Sequence, residues 1–175
     1  MKNNFLIKQY ISDKKMSIRH NYLSEQFNNS KEIFKSINKT VKFNDFTLGR
    51  YVDLFEKEFC KYQKVKYAVG VGSGTDAIFL SLKALGIKDG DEIITPTYSF
   101  YATAGAIATT GAKPIFVDVK DDLNIDEDKI EKKITKKTKA LLIPNLIGNI
   151  PNWSEIKKIA KKHRLKIIED SADTM

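Results

Sequence analysis

Apolar residues recur along this chain with two different periods, and the switches between them mark out alternating strands and helices. Ile93-Ile94 and Leu141-Leu142-Ile143 have the run length of buried strands, whereas Ile78, Leu82 and Leu85 recur at the three- and four-residue steps of a helix. From residue 66 onward the pattern predicts a strand at 66–71, a helix at 76–85, a strand at 92–95 and a helix at about 101–110 closed by Gly111. A strand at 114–119, a helix begun by Asp126 and ending near Ile134, and a strand at 139–143 follow. Asn152 then caps a helix that turns Trp153, Ile156, Ile159 and Ala160 inward, and the last strand is 166–168. Upstream, a weaker helix at about 30–40 carries Ile33, Phe34 and Ile37 on one side. A turn at Thr47-Leu48-Gly49 leads into a stronger helix ending near Tyr62. The first 20 residues lack a clear period and read as a flexible arm, with Met16 a candidate start just before order begins. Strands alternating with helices of this length imply an α/β chain, its mostly parallel sheet flanked by helices on both faces.

Composition narrows the class. With 175 residues, 42% hydrophobic and 30% charged, the chain can bury a core of its own, as one domain or part of a larger one. No apolar run approaches the roughly 20 residues of a membrane span, and Phe5-Leu6-Ile7 is too short for a signal-peptide core, so a cytoplasmic location is expected. The net charge of +8 raises the question of nucleic acid. Only Arg19, Arg50 and Arg164 among the 30 basic residues are arginine, and the lysines are spread out. The densest groups, Lys132-Lys133 and Lys157-Lys158 with Lys161-Lys162, fall at the ends or outer faces of predicted helices, as solvated faces do. The single cysteine, Cys60, shares a helical pattern with Val52, Phe55 and Phe59 and reads as a small core residue.

Candidate chemistry begins at Gly70-Val71-Gly72-Ser73-Gly74-Thr75, where a strand pattern breaks and a helical one opens. Gly70, Gly72 and Gly74 permit backbone conformations closed to other residues and a close approach to a ligand, and Ser73 or Thr75 can cap a helix whose first amides favour a phosphate. Taken alone, the turn is equally a tight connection or an anion cup. A dinucleotide fingerprint is disfavoured, because the spacing is not G-x-G-x-x-G and Asp91-Glu92 precede the second strand instead of ending it. No metal or nucleophile motif joins His20, His163 and Cys60; a histidine at a helix end, as His163 is, complements the dipole. Glu169, Asp170 and Asp173 fall at the carboxyl end of the last strand, where open α/β sheets bind ligands.

Several blocks together resemble the DegT/DnrJ/EryC1/StrS family of pyridoxal-phosphate sugar aminotransferases, from about Tyr22 to Thr174. They are Asp45-Phe-Thr-Leu-Gly49, Ser73-Gly-Thr-Asp-Ala77, Gly90-Asp-Glu-Ile-Ile-Thr-Pro96, Phe100-Tyr-Ala-Thr103, Gly111-Ala-Lys-Pro114 with Phe116-Val-Asp118, and Ile168-Glu-Asp170. The resemblance implies the aspartate-aminotransferase (type I) fold, with residues 21–175 forming the N-terminal part of the cofactor-binding large domain. It implies that Gly74 and Thr75 hold the phosphate of pyridoxal 5′-phosphate, that Phe100 stacks on its ring and that Asp170 pairs with the pyridine nitrogen. Asp173 stands where aminotransferases of the family have glutamine or histidine against the ring hydroxyl, and sugar 3-dehydrases of the family are similar in carrying an acid there. Asn145 stands where many members have histidine. The Schiff-base lysine belongs to a segment beyond the residue matching Asp170 and is not in this chain. The implied reaction moves an amino group from an amino acid, glutamate by preference, to a nucleotide-linked keto sugar. The implied assembly is a homodimer with Thr47–Gly49 near its interface, and neither nucleic acid, membrane nor metal takes part. The alternatives are a 3-dehydrase, or a non-catalytic fragment that binds a phosphorylated ligand or a partner chain.

Overall fold

Ile93 and Ile94 on one strand and Leu141 and Leu142 on its neighbour are fully buried, and within each pair the two side chains join opposite faces of the sheet. Burial on both faces is what a parallel sheet between two helical layers demands. The structure, a computed structural model, describes residues 23–174. The arm expected at 1–20, with Met16, lies outside the described residues. The chain divides between Ala68 and Val69 into two compact units.

The first unit contains helices α1 (Leu23–Gln26), α2 (Ser30–Lys42) and α3 (Arg50–Gln63). The two helices expected from periodicity form, but neither α2 nor α3 buries a residue, and Phe34 and Phe55 are 61% and 63% exposed. Cys60, expected in a core, is only half-buried, because a unit of short helices has too little chain to enclose one. The turn before α3 is fixed by Asp45, whose carboxylate accepts from the Arg50 amide at 3.2 Å and pairs with the Arg50 guanidinium at 3.1 Å. A Cβ on Gly49 would land on that carboxylate, which is why glycine stands there.

The second unit carries the sheet and the remaining helices: α4 (Gly74–Ala84), β1 (Glu92–Pro96), α5 (Tyr101–Thr109), β2 (Lys113–Val117), α6 (Glu127–Ile130), β3 (Thr138–Pro144), α7 (Trp153–His163) and β4 (Lys166–Asp170). The strand order is β2-β1-β3-β4, with every neighbouring pair parallel. Ile78 and Leu82 of α4 and Ala106 and Ile107 of α5 cover one face with Ile93 and Leu142. Ile130 of α6 and Ile156, Ile159 and Ala160 of α7 cover the other with Ile94 and Leu141. The helix ends expected at Asp126, Asn152 and Gly111 hold: Asp126 and Asn152 accept hydrogen bonds from the Asp128 and Glu155 amides, and Gly111 takes a φ of +87° just beyond its helix, as Gly86 does at +77° after α4.

The strand expected at 66–71 does not form. Gly70 supplies no side chain for a strand to pack, and Tyr67 and Val69 are both exposed, so the apolar side chains that a strand would bury are left uncovered. The outer lysines of α7 are exposed as expected. His163 does more than sit at a helix end: with Lys162 it grips Glu131, its Nε2 lying 2.7 Å from Glu131 Oε1.

Leu142→Ala should destabilise the second unit by about 2–5 kcal/mol in urea unfolding, whereas removing an exposed apolar group such as Phe34 should cost far less. The Lys162 and His163 contacts hold the Glu131 carboxyl below its usual pKa, as the Val119 amide and then Lys129 hold that of Asp118. A lowered folded-state value contributes stability above the ordinary carboxylate pKa, and that contribution is lost as the pH falls through and below that range. The melting temperature should therefore drop there more steeply for the parent chain than for Glu131→Gln.

Candidate active site

Leaving β1 the chain turns to β2 on one side, while β3 lies on the other, so the strand order reverses between β1 and β3. A crevice opens beyond the carboxyl ends of strands at such a point. It is a cavity of about 170 Å³. Gly74 and Thr75 enter it from the start of α4, Ser99 and Phe100 from the turn after β1, Asn145 from the end of β3, and Asp170, Ala172 and Asp173 from the end of β4. All five candidates singled out in the sequence, Gly74, Thr75, Phe100, Asp170 and Asp173, thus line a single cavity.

Ser73, and not Thr75, caps α4. Its hydroxyl accepts from the Asp76 amide at 3.1 Å and donates to Asp76 Oδ2 at 3.0 Å, a reciprocal cap. The Ala77 amide goes to the Ser73 carbonyl. The amides of Gly74 and Thr75 belong to the first turn, which offers them no partner within the helix, and the positive end of the helix dipole lies with them. An anion with several acceptor oxygens fits that set. The expected conformational freedom of the glycines is not used: none of Gly70, Gly72 and Gly74 adopts a positive φ. Space is what Gly74 supplies, since a Cβ there would stand 3.0 Å from the Ala172 Cβ. The helix start and the turn after β4 approach each other closely only because both residues are small.

Asp170 ends β4 with both carboxylate oxygens tethered: Oδ1 accepts from the Ala172 amide at 3.1 Å and Oδ2 from the Thr103 hydroxyl at 3.2 Å. Phe100 belongs to neither core; its ring is 57% exposed at the N-cap of α5 and lies 4.4 Å from that of Tyr101, centroid to centroid. Asn145 is 3% exposed. Its Nδ2 donates to Glu169 Oε1 at 2.6 Å and to Ser171 Oγ at 2.9 Å, while Oδ1 is buried without a partner, a costly acceptor at the cavity's edge. Asp173 is exposed and adds a second carboxylate. One rim therefore suits an anion, one face a flat ring, and one wall a protonated nitrogen. No lysine is among the cavity's described lining residues. Sequence reasoning missed Ser99, Thr103 and Ala172. Hydroxyls four residues apart at a helix start were a visible signal for the first two, but the small side chain of Ala172 carried none.

The chain is similar in sequence and fold to known proteins. The model of the DegT/DnrJ/EryC1/StrS aminotransferase family matches residues 28–175. A dTDP-3-amino-3,6-dideoxy-alpha-D-galactopyranose transaminase of Aneurinibacillus thermoaerophilus is 41% identical over 143 residues, covering 81% of this chain and 39% of the relative. The crystal structure of NtdA from Bacillus subtilis with bound cofactor PMP superposes with a TM-score of 0.85 at 35% identity, over 93% of this chain and 38% of that one. The E. coli GDP-4-keto-6-deoxy-D-mannose-3-dehydratase with bound hydrated PLP gives a TM-score of 0.72 at 36% identity, over 79% and 38%. The chain spans 42%, 39% and 32% of the length of the first three curated relatives it matches.

Ser73→Ala should cost about 1 kcal/mol of stability through the lost cap. Gly74→Val should cost about 1–3 kcal/mol by overpacking against Ala172, and Ala172→Gly should return part of that loss. A urea-unfolding double-mutant cycle should give a coupling of at least about 0.5 kcal/mol, and strict additivity would contradict the close approach.

Proposed function

This chain belongs to the DegT/DnrJ/EryC1/StrS aminotransferase family, and on that premise we propose that its cavity is the cofactor half of a pyridoxal-phosphate site in a nucleotide-sugar aminotransferase. The observation that carries the proposal is the convergence of Gly74, Thr75, Phe100, Asp170 and Asp173, from three separate segments, on one cavity at the strand ends. The residues fit the group. The first-turn amides of α4 and the Thr75 hydroxyl suit a phosphate, and the small side chains of Gly74 and Ala172 leave the start of α4 and the turn after β4 close together at the cavity.

When bound, pyridoxal phosphate supplies an electron sink for the carbon that loses its proton. Gly74 and Thr75 bind its phosphate and set its depth. Phe100 covers one ring face and excludes water from it. The Asp170 carboxylate, held from both sides, keeps a proton on the ring nitrogen. Asp173, by its match to the family position, would meet the ring hydroxyl, and the unpartnered Asn145 Oδ1 would offer an acceptor to a donor on the bound molecules. Transfer of the amino group from glutamate to a keto sugar needs a lysine to carry the proton, and its source lies outside the cavity's described lining. The isolated chain is accordingly inactive. The exposed apolar faces of α2 and α3 support assembly as a homodimer with Thr47–Gly49 near its interface. No helix among the described residues is long and apolar enough to cross a membrane, in keeping with a cytoplasmic enzyme.

A second reading, dehydration at sugar carbon 3 by the same cofactor, is favoured by one residue, Asp173, the acid standing where aminotransferases of the family carry glutamine or histidine. The full-length protein, given glutamate and a nucleotide-linked 4-keto-6-deoxy sugar, should yield an aminated sugar by mass spectrometry; loss of the 3-hydroxyl instead would establish the dehydrase.

For the chain itself, equilibrium dialysis should find pyridoxal 5′-phosphate bound reversibly and pyridoxal, which lacks the phosphate, bound at least about tenfold more weakly. Borohydride should trap no adduct at any single lysine. Equal affinity for the two, or stoichiometric trapping at one lysine, would contradict the proposal.

A further inference from the structure

We propose that Thr103 is a positioning residue for Asp170 and that Ser99 sets the direction of the Thr103 hydroxyl, forming a relay from the cavity rim to the carboxylate. The inference rests on Asp170 as the partner of the ring nitrogen. Thr103 is 1% exposed, in the first turn of α5, and its hydroxyl reaches across 67 positions of sequence to Asp170 Oδ2 at 3.2 Å. Ser99 Oγ lies 2.7 Å from the same Thr103 oxygen. Each hydroxyl carries one proton, and an ionised carboxylate can only accept. Thr103 therefore spends its proton on Asp170, and the Ser99 proton must go to Thr103. The bonds run one way, from Ser99 through Thr103 to Asp170.

Ser99 and Asp170 both line the cavity, whereas Thr103 does not. Thr103 thus acts through Asp170. The Ala172 amide tethers only Oδ1, so without Thr103 the carboxylate is free to rotate about that single bond. With both tethers, each oxygen keeps one lone-pair direction fixed toward a ligand. The Thr103 amide also donates to the Phe100 carbonyl at 3.1 Å. The residue that would cover the ring face and the acid that would meet its nitrogen are thereby joined through a single threonine.

The test compares the full chain with its Thr103→Val, Thr103→Ser and Ser99→Ala variants. Equilibrium dialysis measures binding of pyridoxal 5′-phosphate and of its deaza analogue, in which carbon replaces the ring nitrogen. The parent chain should prefer the natural cofactor. Thr103→Val should weaken cofactor binding by about tenfold while leaving the analogue unchanged, and Thr103→Ser should restore the preference. Ser99→Ala should weaken cofactor binding by about two- to threefold, again without affecting the analogue. If Thr103→Val does not fold, Ser99→Ala and Thr103→Ser decide alone. Equal loss for both ligands in Thr103→Val or Ser99→Ala, no loss in either, or a Thr103→Ser variant that loses the preference overturns the relay and leaves the cofactor site standing. A parent chain without preference between cofactor and analogue overturns the role of Asp170 itself, and the relay with it.

Discussion

Four parallel strands must end on the same side of their sheet, and each must deliver the chain to a helix that crosses back over one face or the other. Here the central pair β1 and β3 carries the whole arrangement: Ile93 and Leu142 hold α4 and α5 on one face, and Ile94 and Leu141 hold α6 and α7 on the other. Because the crossovers diverge at this pair, no helix covers the gap beyond its carboxyl ends, and the segments that follow β1, β3 and β4 meet there with the start of α4. The cavity is a consequence of burying both faces of the sheet.

That constraint also divides labour among the residues. Groups that would touch a ligand lie on turns, helix starts and the end of β4, while a group that orients one of them, Thr103, comes from within the layers. Asp170 reaches the cavity because β4 pairs with β3 through Asp170 itself, and its direction is set by Thr103, buried on α5. Gly74 approaches Ala172 because α4 packs across the same face that β4 helps to build. A change in the core would therefore move the site as well as weaken the fold.

Much of this was legible in the sequence, for identifiable reasons. Buried strands and amphipathic helices leave periodic patterns, so the four strands and the helix caps at Asp126 and Asn152 could be read directly. The strand at 66–71 could not be judged from its pattern, because alternation does not say whether a partner and a covering layer exist. The apolar faces of α2 and α3 and the surroundings of Cys60 misled in the same way: periodicity identifies a face but not what lies against it. Family resemblance brought out the site residues. The Thr103–Asp170 bond and the Gly74–Ala172 approach join residues far apart in the chain by tertiary packing, which no local spacing encodes. Of the two properties expected of the glycines, room for close approach is the one Gly74 provides, and it is taken up by Ala172; a left-handed backbone is not used.

The first unit and the sheet edges expose much apolar surface, including Phe34, Phe55 and Phe116, so binding at the cavity has to be distinguished from adventitious contact elsewhere. Free pyridoxal phosphate also reacts with exposed lysines, of which α7 has several. An NMR titration of the nitrogen-15-labelled chain with pyridoxal 5′-phosphate separates these most directly. The account predicts saturable shifts largest at the amides of Gly74, Thr75 and Ala172. Shifts confined to the lysine-bearing face of α7, with those three amides unmoved, would contradict it.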